Sequence, residues 1–313
     1  MKGVIILPQY LSKCWVPKQS GDFSTISTVT GFLFYSIKEY FGFDIKFADE
    51  VDVPLNTDIV MLFGVPYHNR PNLIPGLLDL DKNIKLVIYP GDIQCYDNPV
   101  CLENKLKVFN RADLIVSGSY EYFAKLYPQF LYKYEFLPLF FSPHNRYVDL
   151  SFNATPIMKC LVSGSMNPEV YPLRVSIKNS GAIDVEYRPA TFALGDDYAK
   201  LLNYYFCCIA TSSIFNYAVA KYFEIPAAGS LLLANDISDL RRAGFVANKH
   251  YVPITKTNVL DKIKCCLKNP FEYENIRKEG MKFVRENHSV NNRVKTIEKM
   301  FKKLLFKGEY DYE

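Results

Sequence analysis

Short apolar runs alternate with helical patterns along almost the whole chain. Such runs occur at residues 2–7, 44–48, 58–63, 85–89, 114–117, 158–162, 182–187, 206–210, 230–234 and 251–254. Brief runs of this kind, without polar alternation, are typical of parallel strands that are covered on both faces. The alternation therefore predicts an α/β protein built on doubly wound parallel sheets. In such sheets, ligands bind beyond the carboxyl ends of the strands.

An aperiodic segment separates two strand–helix series. Residues 136–155 contain two prolines, and a third follows directly at Pro156. A chain of 313 residues is long enough for two domains, each with its own core. We therefore predict a first domain at 1–145, a second at 146–292 and a terminal helix at 293–313.

The stretch at residues 212–235, SSIFNYAVAKYFEIPAAGSLLLAN, carries the most information about function. Its pattern predicts a loop, a helix at 217–228 and a buried strand. Gly229 is placed to end the helix. Side-chain oxygens that can cap the helix start are offered by Ser212, Ser213 and Asn216.

Three functional side chains fall on one face of this predicted helix. Tyr217, Lys221 and Glu224 are spaced by four and three residues, which places them side by side. The free N–H groups of the helix start, together with Lys221, would suit the phosphates of a nucleoside diphosphate. Glu224 could accept hydrogen bonds from ribose hydroxyls. The alternative is an ion pair between Lys221 and Glu224 on a solvated helix face.

The same residues carry a family resemblance. KYFEIPAAGSLLLAND, followed by DLRRAGF, resembles the donor-site segment of GT-B glycosyltransferases. It is most similar to the CgeB-like branch, where the pattern K-x-F-E-x-x-A-x-G-x-x-L-L recurs, and to a glycosyltransferase family 1-4-like donor domain. The resemblance covers residues 158–293 and includes a Y-P-x-R segment that ends at Arg174. The first half of the chain matches only in its α/β pattern.

The resemblance implies a GT-B fold, with two Rossmann-like domains facing a cleft and a last helix that crosses back to the first domain. It also implies a nucleotide-diphosphate sugar bound by the second domain and a glycan or other hydroxyl acceptor bound by the first. Related retaining families have an E-x7-E motif, in which Glu224 matches the second glutamate. The first position is Asn216, so the full motif is absent and the stereochemistry stays open. The expected donor-binding residues, from spacing and resemblance together, are Arg174, Asn216, Tyr217, Lys221 and Glu224.

Two further roles are open at this stage. Arg174 is either a phosphate clamp, since guanidinium groups suit diphosphates, or a surface helix residue. Lys221 is the expected catalytic cation, and Asp92 is the first choice for the base because it lies just past a strand end. The alternatives for the base, on neighbouring loops, are Asp22 and His68.

A D-x-D sequence at Asp79–Asp81 matches the metal motif of GT-A enzymes. A metal-binding D-x-D follows a strand, whereas this one precedes the strand at 85–89. We therefore expect no essential metal and no cofactor apart from the donor substrate.

The charge, the cysteines and the apolar runs indicate which partners and which cellular compartment to expect. The net charge of +4, from 37 basic and 33 acidic residues, is too small to indicate a nucleic-acid partner. The eight cysteines show no C-x-x-C spacing, which favours reduced thiols in a cytoplasmic protein. The apolar run at the start is too short for a signal peptide, and no run is long enough to span a membrane.

The last helical pattern, at residues 293–307, is amphipathic. Its apolar stripe comprises Val294, Ile297, Met300, Phe301, Leu304 and Leu305, with lysines largely off that stripe. A basic amphipathic helix can make a peripheral membrane contact. We favour the alternative, in which the stripe packs on the body of the protein as the resemblance implies.

Two rival functions remain. The first is a nucleotide-sugar-modifying enzyme such as an epimerase or reductase. No G-x-G-x-x-G follows a strand in this sequence, which counts against the nicotinamide cofactor of such an enzyme. The second is a catalytically degenerate GT-B protein that binds a sugar or nucleotide, which Asn216 in place of glutamate keeps open.

Overall fold

A computed structural model of the protein describes residues 1–9, 29–48, 50–54, 56–64, 66, 70–95, 98–141, 147–189 and 196–306. The chain divides into two compact units. One unit comprises Met1–Leu137 with Asn291–Glu313, and the other comprises Pro138–Val290. The predicted domain boundary after residue 145 falls on a stretch outside the described residues.

The first unit is built on a six-stranded parallel sheet. Its strands are β1 (Gly3–Pro8), β2 (Asp44–Ala48), β3 (Ile59–Phe63), β4 (Lys85–Tyr89), β5 (Leu114–Ser117) and β6 (Tyr134–Phe136), in the order β2-β1-β3-β4-β5-β6. Every residue of β1 and β3 is buried, which explains why both are continuous apolar runs. The short strand β6 was not predicted, because three residues with a central glutamate show no strand pattern.

Three helices of the first unit follow its strands: α1 (Val29–Phe41), α2 (Pro99–Arg111) and α3 (Tyr120–Leu126). Helix α2 begins at Pro99. Its start is set by Asn98, whose side-chain oxygen accepts a hydrogen bond from the backbone N of Cys101 at 3.0 Å. Pro99 occupies the first turn, where its missing N–H is no loss.

The second unit has a five-stranded parallel sheet. Its elements in chain order are β7 (Ile157–Ser163), α4 (Pro172–Asn179), β8 (Val185–Arg188), α5 (Asp196–Tyr204), β9 (Tyr205–Ala210), α6 (Lys221–Ala227), β10 (Leu231–Ala234), α7 (Ser238–Arg242), β11 (Val252–Pro253), α8 (Val259–Lys268) and α9 (Pro270–Asn287). The strand order is β11-β10-β9-β7-β8. All neighbouring strands are parallel, as predicted.

Alternate strand residues of this sheet serve two cores. Leu161, Cys208 and Leu232 face the core that includes residues of α5, α6 and α9. Cys160 and Cys207 face the opposite core, which includes residues of α4 and α8. Both faces of the sheet are therefore covered, which accounts for the apolar runs in the sequence.

The direction of winding reverses at β7. The chain passes from β7 to β8 on one side and then returns to β9 on the other, so that β7 pairs with both. At such a switch point, the loops that follow the two inner strands diverge and leave a crevice beyond their carboxyl ends. Here these are the loops at residues 164–171 and 211–220.

The last helix, α10 (Val290–Leu305), packs within the first unit. Its residue Phe301 is 1% exposed, and the Phe301 ring lies 5.4 Å from that of Phe41 and 6.0 Å from that of Phe43. Val294, Ile297, Met300 and Phe301 of the apolar stripe are buried, and Leu304 and Leu305 are half-buried. The exposed lysines are Lys295, Lys299, Lys302 and Lys303. Among the described residues, no helix has the length and apolar character that crossing a membrane requires.

Candidate functional site

Two cations converge on one point of the crevice beside β7. The first residue after β7 is Gly164, whose φ of +109° is a conformation that favours glycine. A Cβ atom at this position would lie 3.1 Å from Nη1 of Arg174 and 3.3 Å from Nζ of Lys221. A residue without a side chain is thus needed where the two cations meet.

Arg174, on α4, ties the two loops of the crevice together. Its Nη1 donates to the carbonyl of Ser165 at 3.0 Å and its Nη2 to the carbonyl of Thr211 at 3.3 Å. The guanidinium carbon lies 4.0 Å from the ring centroid of Tyr171, and the residue is 3% exposed. The alternative of a surface helix residue is therefore wrong. A guanidinium has five N–H donors, so each terminal nitrogen keeps a hydrogen for a ligand.

Lys221 is the first residue of α6 and is half-buried. Its Nζ lies 5.4 Å from the ring centroid of Tyr198, a distance at which an ammonium is attracted to an aromatic face. The Tyr198 hydroxyl is in turn 3.2 Å from Oγ of Ser163 at the end of β7. Burial lowers the pKa of Lys221; the charge of Glu224 opposes this shift, and that of Arg174 adds to it.

Glu224, one turn further along α6, is only 7% exposed. Burial raises the pKa of its carboxyl, and the positive charge of Lys221 partly opposes the shift. Within the part of the chain that the structure describes, neither the Lys221 ammonium nor the Glu224 carboxylate makes a hydrogen bond or an ion pair. The alternative of a solvated ion pair is therefore wrong. A buried carboxylate without donors is unfavourable, and hydroxyl groups of a ligand would relieve this.

The helix that carries these residues is shorter than predicted. It begins at Lys221 rather than at residue 217. Asn216 has a φ of 58°, in the left-handed region, and Oγ of Ser213 accepts a hydrogen bond from the backbone N of Phe215 at 3.2 Å. Residues 216–219, which follow these turns, are not helical, so the helix does not extend back to residue 217.

The shorter helix changes two parts of the site hypothesis. Tyr217 lies in the loop before α6, where its ring stacks on that of Phe215 at 6.3 Å, so it is not on the helical face with Lys221 and Glu224. The residue before the helix is Ala220, which caps nothing with its side chain, and α6 has only seven residues. Phosphate binding by the helix N-terminus is therefore not supported, and the cationic side chains must carry it. The predicted stop at Gly229 is confirmed, with a φ of 80°.

Sequence reasoning missed two residues of this site. Gly164 follows directly on an apolar strand run, which is a signal for close approach of the backbone to a ligand. Tyr198 lies in an ordinary helical pattern, and no sequence signal distinguished it.

The remaining candidate residues belong to the first unit. Asp92 is exposed and follows β4, and its backbone carbonyl accepts a hydrogen bond from Nζ of Lys105 at 3.0 Å. Asp22 and His68 lie outside the described residues. Asp81 lies in turns before β4, where its carboxylate accepts a hydrogen bond from the backbone N of Asn83 at 2.8 Å.

Comparison with known proteins connects this geometry to one class. Residues 173–299 match a family model described as "Glycosyl transferase-like", and this range includes Arg174, Lys221 and Glu224. No curated protein matches the chain in sequence.

Solved structures match over nearly the full length of the chain. Sucrose-phosphate synthase from Thermosynechococcus elongatus has a TM-score of 0.61 at 10% identity, covering 97% of this chain and 99% of that one. A glycosyltransferase from Rickettsia africae has a TM-score of 0.61 at 11% identity, covering 97% and 98%. Anabaena HepE, solved with UDP-glucose, has a TM-score of 0.60 at 11% identity, covering 97% and 100%.

At these identities the structural matches establish the fold, and the family match adds a similarity in sequence over residues 173–299. The predictions of a two-sheet α/β architecture and of a glycosyltransferase resemblance are both confirmed. The chain has the fold of GT-B glycosyltransferases, and its residues 173–299 match the family model described as glycosyl transferase-like.

Proposed function

We propose that this protein transfers a sugar from a nucleotide-diphosphate sugar to a hydroxyl group of a glycan or another acceptor. One observation carries the proposal: the cations of Arg174 and Lys221 converge beside Gly164. The buried carboxylate of Glu224 lies one turn after Lys221 on α6. A compact pair of cations next to a carboxylate that lacks donors suits a ligand with a diphosphate at one end and a diol at the other.

Arg174 and Lys221 are proposed to bind the diphosphate. Arg174 is held by two backbone carbonyls and keeps N–H donors for oxygen atoms of a ligand. Lys221 supplies a mobile point charge that meets the growing negative charge as the glycosidic bond breaks. Since two side-chain cations supply this charge, the proposed transfer needs no metal ion.

Glu224 is proposed to accept hydrogen bonds from the ribose hydroxyls. Asn216 and Tyr217, on the loop before α6, are proposed to contact the rest of the donor. The base for the acceptor hydroxyl is proposed to be Asp92 of the first unit, which is expected to bind the acceptor.

The test is a thermal-shift panel of nucleoside diphosphates and their sugar conjugates, followed by turnover assays with the conjugate that binds. A ligand at about a hundred times its Kd stabilises the folded protein by about 2.7 kcal/mol. We expect such a shift with at least one nucleoside diphosphate, and transfer or slow hydrolysis of its sugar conjugate that survives EDTA. Binding without any turnover would favour the degenerate binding protein that Asn216 keeps open. Activity lost to EDTA and restored by manganese or magnesium would contradict the metal-independent scheme.

The affinity for the donor is expected to fall as the pH is lowered. Glu224 accepts hydroxyl donors only when it is ionised, and burial raises its pKa above the ordinary value of 4.5. Protonation, and with it the loss of affinity, therefore begins at a higher pH than for an exposed glutamate. Calorimetric titration with a nucleotide sugar checks this, because its diphosphate has no proton that titrates near pH 6.

The control for this titration is Glu224→Gln. The variant is expected to bind more weakly at neutral pH but to lack the fall in affinity at lower pH. The same pH profile in both proteins would show that another group titrates.

A further inference from the structure

Asn235, the first residue after β10, joins three parts of the second unit. Its Oδ1 accepts a hydrogen bond from the hydroxyl of Tyr222 at 2.7 Å and another from the backbone N of Ser212 at 2.9 Å. Its Nδ2 donates to Oγ of Ser212 at 2.8 Å. The end of β10, the loop after β9 and helix α6 are thus held at one amide group.

The two partners of Asn235 are chain neighbours of groups at the cationic site. Tyr222, which is 0% exposed, directly follows Lys221. Ser212 directly follows Thr211, whose carbonyl accepts a hydrogen bond from Nη2 of Arg174. The hydrogen bond with Tyr222 therefore connects Asn235 to Lys221, and the two hydrogen bonds with Ser212 connect it to the anchor of Arg174.

Lys221 and Arg174 carry like charges, so their close approach needs structural support. The described contacts include no ion pair that holds Lys221 in place, and its charge and that of Arg174 repel each other. Without a ligand, some uncharged structure must keep the two cations close together. Side-chain hydrogen bonds can do so, because Tyr222 is fully buried on α6 and because Ser212 and Asn235 follow the buried strands β9 and β10.

We propose that Asn235 is a positioning residue that fixes the separation of Lys221 and Arg174 through its hydrogen bonds to Tyr222 and Ser212. This inference rests on the proposed function, since it assigns a role at the same diphosphate site. Asn235 itself touches neither the phosphates nor the reacting atoms. Its effect reaches the ligand through the two cations.

The expected result is a loss of nucleotide affinity that exceeds any general loss of stability. Asn235→Ala is expected to raise the Kd for the best-binding nucleoside diphosphate about tenfold and to lower kcat as well. The reason is that Lys221 and Arg174 are then no longer held at a fixed separation. Tyr222→Phe removes a single hydroxyl and is expected to shift both quantities in the same direction by a smaller factor. It keeps the test open should Asn235→Ala fold poorly.

Asn203 provides a matched control in the same unit. Its Nδ2 donates to the carbonyls of Ser151 at 3.1 Å and Ala228 at 2.7 Å, near the opposite end of α6. Asn203→Ala should lower the Tm by an amount similar to Asn235→Ala but leave the Kd unchanged. Titrations are made well below the Tm of every variant.

Wild type and Lys221→Ala complete the set and separate the possible failures. If wild type binds no nucleoside diphosphate, the proposed function fails and this inference fails with it. The proposed function stands if wild type binds and Lys221→Ala binds differently or turns over more slowly. If, in that case, both Asn235→Ala and Tyr222→Phe keep the wild-type Kd and kcat, the inference alone is overturned. A Kd raised equally in Asn203→Ala would also overturn it, because the effect would then be one of general stability.

Discussion

Lys221→Ala is expected to lower kcat by about a hundredfold or more while changing the affinity for the free nucleoside diphosphate much less. Lys221 shares its position beside Gly164 with Arg174, which remains to hold the ground-state phosphates. Negative charge grows on the diphosphate only as the sugar leaves, so an interaction strengthened at that stage appears in kcat rather than in KM. Removal of one such donor typically lowers rates by about 10²–10³-fold. Lys221→Glu should be worse, since it places a second carboxylate beside the phosphates.

Glu224→Ala is expected to act on affinity instead. The ribose diol is present in donor and product alike, so the variant should weaken binding of the free nucleoside diphosphate as well as of the sugar conjugate. A hydrogen bond to a charged group contributes about 1.5–3 kcal/mol, which corresponds to roughly ten- to hundredfold in Kd. Calorimetric titration beside steady-state kinetics measures both effects.

The exposed pair Glu274 and Lys278 on α9 serves as the control. These residues form an ion pair at i,i+4 spacing on the surface. Alanine at either position should leave affinity and turnover unchanged. Unchanged nucleotide affinity in Glu224→Ala, with the fold intact, would remove the main support for the proposed donor site.

Arg277→Met is expected to cause the largest loss of stability, about 3–4 kcal/mol for the second unit. Arg277 is 3% exposed, and its Nε and Nη2 donate to the carbonyl of Gly229 at 3.1 and 3.0 Å. Its Nη2 also donates to the carbonyl of Asn153 at 3.0 Å, and its guanidinium carbon lies 4.6 Å from the ring centroid of Phe152. Methionine fills the space but leaves two carbonyls without these donors.

Thermal unfolding measures this loss as a fall in Tm of roughly 10 °C. Arg277→Lys keeps the charge, but its single ammonium group cannot donate to both carbonyls as the guanidinium does. Its Tm should therefore lie between those of wild type and Arg277→Met. The control is Arg241→Met, because Arg241 is exposed and pairs only on the surface with Asp236 at 2.7 Å. That variant should change the stability by less than about 1 kcal/mol. Equal effects at the two positions would contradict the role of the buried fork.

Fully buried strands such as β1, β3 and β9 were predictable because burial on two faces leaves a continuous apolar run. The stop at Gly229 was equally accessible, since the left-handed φ there favours one residue type. The start of α6 was not. Tyr217 and Ala218 are compatible with a helix, and the left-handed turn at Asn216 depends on loop contacts that propensity does not record.

The site was predictable in its residue types but not in its burial. Spacing alone placed Lys221 near Glu224, whereas an exposed ion pair and a buried, separated pair have the same spacing. What distinguishes them is the packing of α6 against β9, β10 and α9, which brings together residues distant in sequence. The role of Asp92 as the base remains a prediction. It was chosen because it lies just past a strand end, and that position does not identify the proton that it would accept.

The membership of α10 in the first unit has a consequence for synthesis of the protein on the ribosome. The second unit is a continuous stretch, Pro138–Val290, and can complete its core as soon as that stretch has emerged. The first unit, although translated earlier, lacks the ring of Phe301 against Phe41 and Phe43 until the last helix is made. The first unit can therefore complete its core only after α10 has been made, although most of its residues are translated earlier.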